Sequence, residues 1–131
     1  MRVLDKLVVA LPLICVPILT AAHHSNAEWD SSVKLELEGE VVNVTWRNPH
    51  VRFSVKVQYD TEEEVVWNLN GNAVSHLIRQ GVDGAPIEVG DVIRLIGSPS
   101  TRRSNNMNVD SILVPGNREV MLRPVDRHWP Q

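Results

Sequence analysis

The sequence is poor in cysteine and in basic charge, and each of these two shortages excludes a class of protein. One cysteine in 131 residues excludes a fold held together by disulfides, which needs cysteines in pairs. Thirteen basic residues against 16 acidic ones give a formal charge of −3, so the chain lacks the basic field that holds nucleic acids. What remains is a length suited to a single compact domain with its own apolar core.

Long apolar runs are also absent, apart from one near the N-terminus. Residues 7–19 are almost all apolar, follow two basic residues and precede small residues that end at Ala22. The run is too short to span a bilayer, and the order of basic, apolar and small segments is that of a signal peptide. We therefore expect residues 1–22 to be a signal peptide cleaved near Ala22, which removes Cys15 as well. The mature protein is then periplasmic or secreted in a bacterium, with no membrane span.

Beyond the signal, the chain divides into a polar lead-in (23–32), a β domain (33–123) and a C-terminal tail (124–131) without a clear pattern. Apolar and polar residues alternate along most of the β domain, as in half-buried strands. The apolar positions shift parity after Gly39, which indicates a β-bulge there. Helical spacing of apolar residues, ended by Gly81, predicts one short helix. The predicted strands are 33–46, 51–59, 65–69, 91–97, 108–114 and 119–123, and the predicted helix is 73–80.

Three strands, a short helix and two or three further strands are the element order of an OB-type barrel. The sequence therefore predicts a mainly β fold, a small OB-like barrel of five to six strands with one short helix between strands three and four. A small β-sandwich is the competing architecture. In either fold Trp67, flanked by apolar residues, is expected in the core, and the tail is expected to be loosely ordered.

Two histidines directly after the signal suggest a metal site. Cleavage after Ala22 makes His23 the N-terminus, so that its amine and ring chelate a transition metal and His24 adds a second ring. His50, in the turn that ends the first strand, can supply a third ring. The interpretation that competes with this is structural, with His50 capping the strand end by hydrogen bonding. The first functional hypothesis is therefore a copper or zinc site of His23, His24 and His50.

The second hypothesis is a binding face for a small organic or saccharide ligand. Trp46 and Asn48 lie at the turn after the first strand, and Arg102 and Arg103 lie in the loop between strands four and five. In an OB barrel these loops border the ligand face, and the arginines can grip an anionic group. Two arginines in a polar loop are also compatible with simple solvation.

Catalytic patterns are missing from the sequence. It contains no phosphate-binding glycine loop, no Gly-x-Ser-x-Gly elbow and no His-Glu-x-x-His pair. We therefore expect a binding module rather than an enzyme. Copper-dependent oxidation at an N-terminal histidine is the remaining enzymatic alternative.

Several short motifs together resemble a known family. The double histidine after the signal, Trp46-Arg47-Asn48-Pro49-His50, the helix end at Gly81 and the Gly-Asp pair before strand four are similar to small exported bacterial proteins of the DUF6152 type, a domain of unknown function. The resemblance implies an exported, OB-like β domain and directs attention to His23, His24, Asn48 and His50. Two positions depart from the family pattern: Asn26 replaces an aromatic residue and Val82 replaces a tryptophan. The N-terminal segment and the helix end are where packing is expected to differ.

Overall fold

A computed structural model of the protein describes residues 28–130, which form six strands and one helix. The structure confirms the predicted barrel and the position of the helix. Strands and helix follow the chain as β1 (Leu35–Thr45), β2 (Arg52–Gln58), β3 (Glu64–Asn70), α1 (Val74–Arg79), β4 (Val92–Pro99), β5 (Asn106–Val114) and β6 (Arg118–Met121).

The barrel closes through one parallel strand pair. The sheet order is β3-β2-β1-β4-β5-β6, and β3 also pairs with β5 in parallel. The five strands β1 to β5 therefore form a closed ring with the strand order of an OB barrel. Strand β6 lies outside the ring, antiparallel to β5.

The core lies inside the ring, and the alternation of β2 and β3 explains why. Phe53, Val55 and Val57 of β2 point inward, and so do Trp67 and Leu69 of β3. The indole Nε1 of Trp67 donates to the Tyr59 hydroxyl at 3.1 Å, so its one polar group is satisfied. The prediction that Trp67 is a core residue is confirmed. The core also includes Leu77 of α1, which the helix presents toward the barrel interior.

The bulge in β1 lies three residues beyond the glycine where it was predicted. The register between β1 and β2 shifts between Val41 and Asn43, so the extra residue is Val42, which is partly exposed. Gly39 has another role. A Cβ at this position would lie 2.6 Å from the backbone oxygen of Lys56, so glycine is required for the close approach of β1 to β2.

A second bulge, on β5, changes the direction of the Asp110 side chain. On β5, Val109 pairs with Gly97 and Ser111 pairs with Ile96, which leaves Asp110 without a partner on β4. Bulges often redirect a side chain in this way. The backbone oxygen of Asp110 accepts hydrogen bonds from the backbone nitrogens of two residues that follow β6, Leu122 and Arg123.

The C-terminal tail packs against the barrel, in contrast to the loose segment that its composition suggests. Trp129 is buried and its ring meets that of His128 edge to face, with centroids 4.9 Å apart. The backbone nitrogen of His128 donates to a carboxylate oxygen of the buried Glu119 at 2.9 Å. One large aromatic side chain and one backbone bond to a buried acceptor therefore hold the tail in place.

Candidate ligand-binding site

The outer face of the barrel carries two rows of uncharged polar residues around Arg52. Each row crosses four neighbouring strands, β1, β2, β3 and β5, through residues that are paired in register. The row between them points inward and belongs to the core. From β1 to β5, the two outward rows are Thr45, Arg52, Asn70, Asn108 and Asn43, Ser54, Asn68, Asn106.

Asparagine is an unusual residue at these strand positions. Asparagine is depleted in strands because its short amide competes with the backbone for hydrogen bonds. Five of the eight residues in the two rows are nevertheless asparagines. Their concentration on one face indicates that their amides are used for something other than strand formation.

All residues of the two rows except Asn108 line an open groove of about 560 Å³. This volume lies within the usual range for sites that bind small molecules. We call it the amide groove. Its lining residues are Asn43, Thr45, Arg52, Phe53, Ser54, Asn68, Leu69, Asn70, Arg103 and Asn106.

Two arginines give the amide groove its charge. None of its ten lining residues is acidic. Arg52 is exposed on β2 and makes no ion pair with residues 28–130. Arg103 reaches the groove from the β4–β5 loop, where its Nε donates to a Glu28 carboxylate oxygen at 2.6 Å. The groove can therefore accept hydroxyl groups through its amides and an anion through its arginines.

A second, smaller cavity of about 230 Å³ lies on the other side of β5, and its chemistry is different. Lys34 Nζ donates to Asp110 Oδ2 at 2.6 Å and to the Ser98 hydroxyl at 2.9 Å. The Asp110 side chain is only 7% exposed, and Arg123 lies 3.9 Å from its other oxygen. Oδ2 is paired with Lys34, whereas Oδ1 is buried and has no hydrogen-bond partner among residues 28–130. Because Lys34 meets the charge of Asp110, we interpret the cluster as structural.

The Asn108 amide connects this cluster to the amide groove. In one orientation of this amide, its oxygen accepts from the Arg123 guanidinium at 2.8 Å and its nitrogen donates to the backbone oxygen of Asn70 at 3.2 Å. This orientation satisfies both neighbours. Asn108 thus joins Asn70, a groove residue, to Arg123, which lies beside Asp110.

The residues of the predicted metal site are not brought together among the described residues. His23 and His24 lie outside them, as do residues 1–22 of the predicted signal peptide. His50 is exposed in the β1–β2 loop. Within residues 28–130, no three histidine, cysteine or acidic side chains are grouped as they would be around a metal ion. The three-histidine site therefore stays a prediction.

Of the residues predicted for a ligand face, one lines the amide groove. Arg103 is in the groove, whereas Arg102 is exposed in the same loop and its backbone nitrogen bonds to the Ser100 hydroxyl. Asn48 is exposed in the β1–β2 loop, outside the lining. Trp46 packs against the core, and its indole Nε1 is buried without a hydrogen-bond partner in the described part of the chain.

The groove residues on β1, β2 and β3 are absent from the sequence-based prediction. Their signal is present in the sequence, because Asn68, Asn70, Arg52 and Ser54 are the polar members of two alternating strands. What is missing is the pairing that places those strands side by side and adds Asn106 of β5.

No helix within residues 28–130 is long and apolar enough to cross a membrane.

Comparison with known proteins assigns the chain to a family. No curated protein and no solved structure matches the chain. The model of a family of unknown function, DUF6152, matches residues 10–108, which is well over half of the chain and includes every residue that lines the amide groove. The match stops short of the Asp110 bulge and β6. The protein therefore belongs to the DUF6152 family, a family of unknown function.

Proposed function

We propose that the protein is an exported binding module that holds a small saccharide or similar hydroxylated ligand in the amide groove. The observation that carries this proposal is the pair of polar rows across β1, β2, β3 and β5. Export rests on the signal-like pattern of residues 1–22. The binding site rests on the chemistry of the groove.

Amide side chains suit a hydroxylated ligand. Each asparagine offers two donors and an oxygen acceptor, and each sugar hydroxyl both donates and accepts. Ser54 and Asn68 already contact each other at 3.2 Å across β2 and β3, so part of the surface is arranged before a ligand arrives. Such preorganisation lowers the entropy cost of binding.

The groove is less suited to nucleic acid, the other common ligand of OB barrels. Single-stranded nucleic acids need exposed aromatic rings on which bases stack. Among the ten lining residues, the aromatic one is Phe53, which is buried in the barrel core. The net negative charge of the chain also opposes a polyanion.

The test is a binding screen with defined sugars. The full-length mature protein is titrated with neutral hexoses, neutral disaccharides and hexuronates while backbone amide signals are followed by NMR. We expect at least one class to saturate and to shift the amide signals of Asn68 and Asn70. If no sugar shifts these signals at millimolar concentration, the proposal is wrong.

A matched pair of variants locates the site. Arg52→Ala and Lys56→Ala remove the same charge from the same face of β2, but only Arg52 lines the groove. We expect Arg52→Ala to weaken the binding of a hexuronate by about tenfold, whereas Lys56→Ala leaves it within about twofold. Equal losses in the two variants would show nonspecific attraction to charge, and would contradict a site in the groove.

A further inference from the structure

The segment of residues 28–30, which precedes β1, is attached to the β4–β5 loop next to the amide groove. Trp29 and Ser100 form an antiparallel bridge, and Asp30 N donates to the Pro99 oxygen at 2.9 Å. The backbone oxygen of Glu28 accepts from the backbone nitrogen of Thr101 at 2.7 Å and from its hydroxyl at 3.1 Å. An isolated β-bridge and three backbone-directed hydrogen bonds therefore hold the segment against this loop.

The loop itself is organised around one hydroxyl. Ser100 Oγ accepts from the backbone nitrogens of Arg102 at 3.1 Å and Arg103 at 3.0 Å, and it donates to a Glu28 carboxylate oxygen at 3.2 Å. A serine hydroxyl that bonds to nearby backbone groups fixes a turn. The direction in which Arg103 leaves the backbone is thereby restricted.

The guanidinium of Arg103 is then held on two sides. A Glu28 oxygen accepts from its Nε at 2.6 Å and also contacts NH2. The Trp29 ring lies beside the guanidinium, 5.8 Å from its centroid to Cζ, a favourable position for a cation. Glu28 uses one edge of the planar group, so its remaining N–H donors stay available on the side of the groove.

We propose that Glu28 and Trp29 act as a clamp that orients Arg103 to bind a carboxylate, so that the ligand of the amide groove is an acidic saccharide. This inference rests on the proposed function, because it assigns the class of ligand and adds a positioning residue to the same groove. A clamped arginine loses little side-chain freedom on binding, which favours recognition of a planar carboxylate.

Charge alone predicts the opposite effect for Glu28. A carboxylate beside the groove repels an acidic ligand, so its removal would strengthen binding if Glu28 acted only through its charge. If Glu28 acts by orienting Arg103, its removal weakens binding. The sign of the change in affinity therefore distinguishes an orienting role of Glu28 from a purely electrostatic one.

The experiment compares glucuronate with glucose, which lacks the carboxylate, on the wild-type protein and three variants. We expect wild type to bind glucuronate about tenfold more tightly than glucose. Glu28→Ala should reduce that preference by about fivefold, with the affinity for glucose unchanged. Glu28→Gln should recover part of the loss, because its amide oxygen still accepts from Arg103.

Glu64→Ala serves as the charge control, since Glu64 lies at the far end of β3 beside Lys56 and does not line the groove. We expect it to leave the glucuronate affinity unchanged or slightly raised. Glucuronate binding that is equal to or tighter than wild type in Glu28→Ala overturns the clamp. If wild type binds the two sugars equally well, the ligand is not an acidic saccharide, but the proposed function is unaffected. If wild type binds neither sugar and no larger saccharide, the proposed function itself is wrong.

Discussion

The amide groove and the Lys34–Asp110 cluster lie on either side of β5, and they use polar residues in opposite ways. In the groove, most polar side chains face solvent and keep free donors and acceptors. In the cluster, Asp110 is nearly buried and its charge is met by Lys34 at 2.6 Å. Because of this difference, we expect substitutions in the cluster to lower stability and substitutions in the groove to change mainly ligand binding.

Removing the cation that pairs with Asp110 should give the largest loss of stability. Lys34 is 43% exposed, but Lys34→Met leaves the nearly buried Asp110 carboxylate without its main partner. We expect this to cost about 2 kcal/mol in the free energy of unfolding. Lys56→Met is the matched control, because Lys56 is 3.6 and 3.7 Å from two half-exposed glutamates. Exposed pairs of this kind contribute about 0.5 kcal/mol. Urea unfolding of the two variants measures both values.

A double variant checks the cause of that loss. Asp110→Asn in the Lys34→Met background removes the unpaired charge, so it should recover part of the lost stability. If Lys34→Met and Lys56→Met cost the same, the cluster is not the structural element that we infer. If the double variant is less stable than Lys34→Met alone, the loss has another origin than the buried charge.

The residue that joins the two regions should show an intermediate effect. Asn108→Ala removes the amide that accepts from Arg123 and donates to Asn70, and we expect it to lower the free energy of unfolding by about 1 kcal/mol. Asn43, at the opposite edge of the groove, makes no such bonds with residues 28–130, so Asn43→Ala should stay within about 0.5 kcal/mol of wild type. Thermal unfolding of both variants tests this order. A cost for Asn43→Ala as large as that for Asn108→Ala would remove the distinction between groove and cluster.

Local sequence patterns predict the strands and the helix, but they do not predict which distant strands pair to form the groove. Alternation identifies β2 and β3 because each has one buried face, and Gly81 ends the helix at a positive φ of 86°. The groove depends on the parallel pairing of β3 with β5, which places Asn106 beside Asn68. No local pattern encodes a pairing between residues so far apart in the chain.

The same limit applies to the ion pair and to the bulges. Lys34 and Asp110 are 76 residues apart, and each belongs to an alternating strand pattern that predicts an exposed side chain equally well. Gly39 predicted a bulge, since an isolated glycine in a strand indicates either a bulge or a close approach. The structure has the close approach at Gly39 and the bulge at Val42. Only the path of the neighbouring strand decides between the two.

A third polar cluster, on the outer face of β1 and β4, is intermediate in exposure and gives the smallest predicted effect. Glu36 contacts Arg94, and its other oxygen lies 3.3 Å from His128 Nε2. Partial burial opposes ionisation of Glu36, but the hydrogen bonds and charges of Arg94 and His128 outweigh it and lower the pKa of this carboxyl. A carboxyl whose pKa is lower in the folded state stabilises the fold above its unfolded pKa, and the contribution is lost as the pH falls through the folded value. Because Glu36 and Arg94 are more than a third exposed, we expect Glu36→Gln to cost only about 0.5 kcal/mol at pH 7.

That cost should fade as the pH falls from the ordinary glutamate pKa of about 4.3 through the lower pKa of Glu36 in the folded protein, because protonated Glu36 resembles the glutamine. Urea unfolding of wild type and Glu36→Gln between pH 7 and pH 3 measures the difference, in which the other carboxyls cancel. Glu38→Gln is the control, since Glu38 is more exposed and lies 3.9 Å from Arg94, and its cost should be small at every pH. A Glu36→Gln cost that stays constant down to pH 3 would mean that packing rather than charge is responsible. In that case the charge of Glu36 would contribute as little to stability as the exposed residues of the groove do, unlike the charge of Asp110.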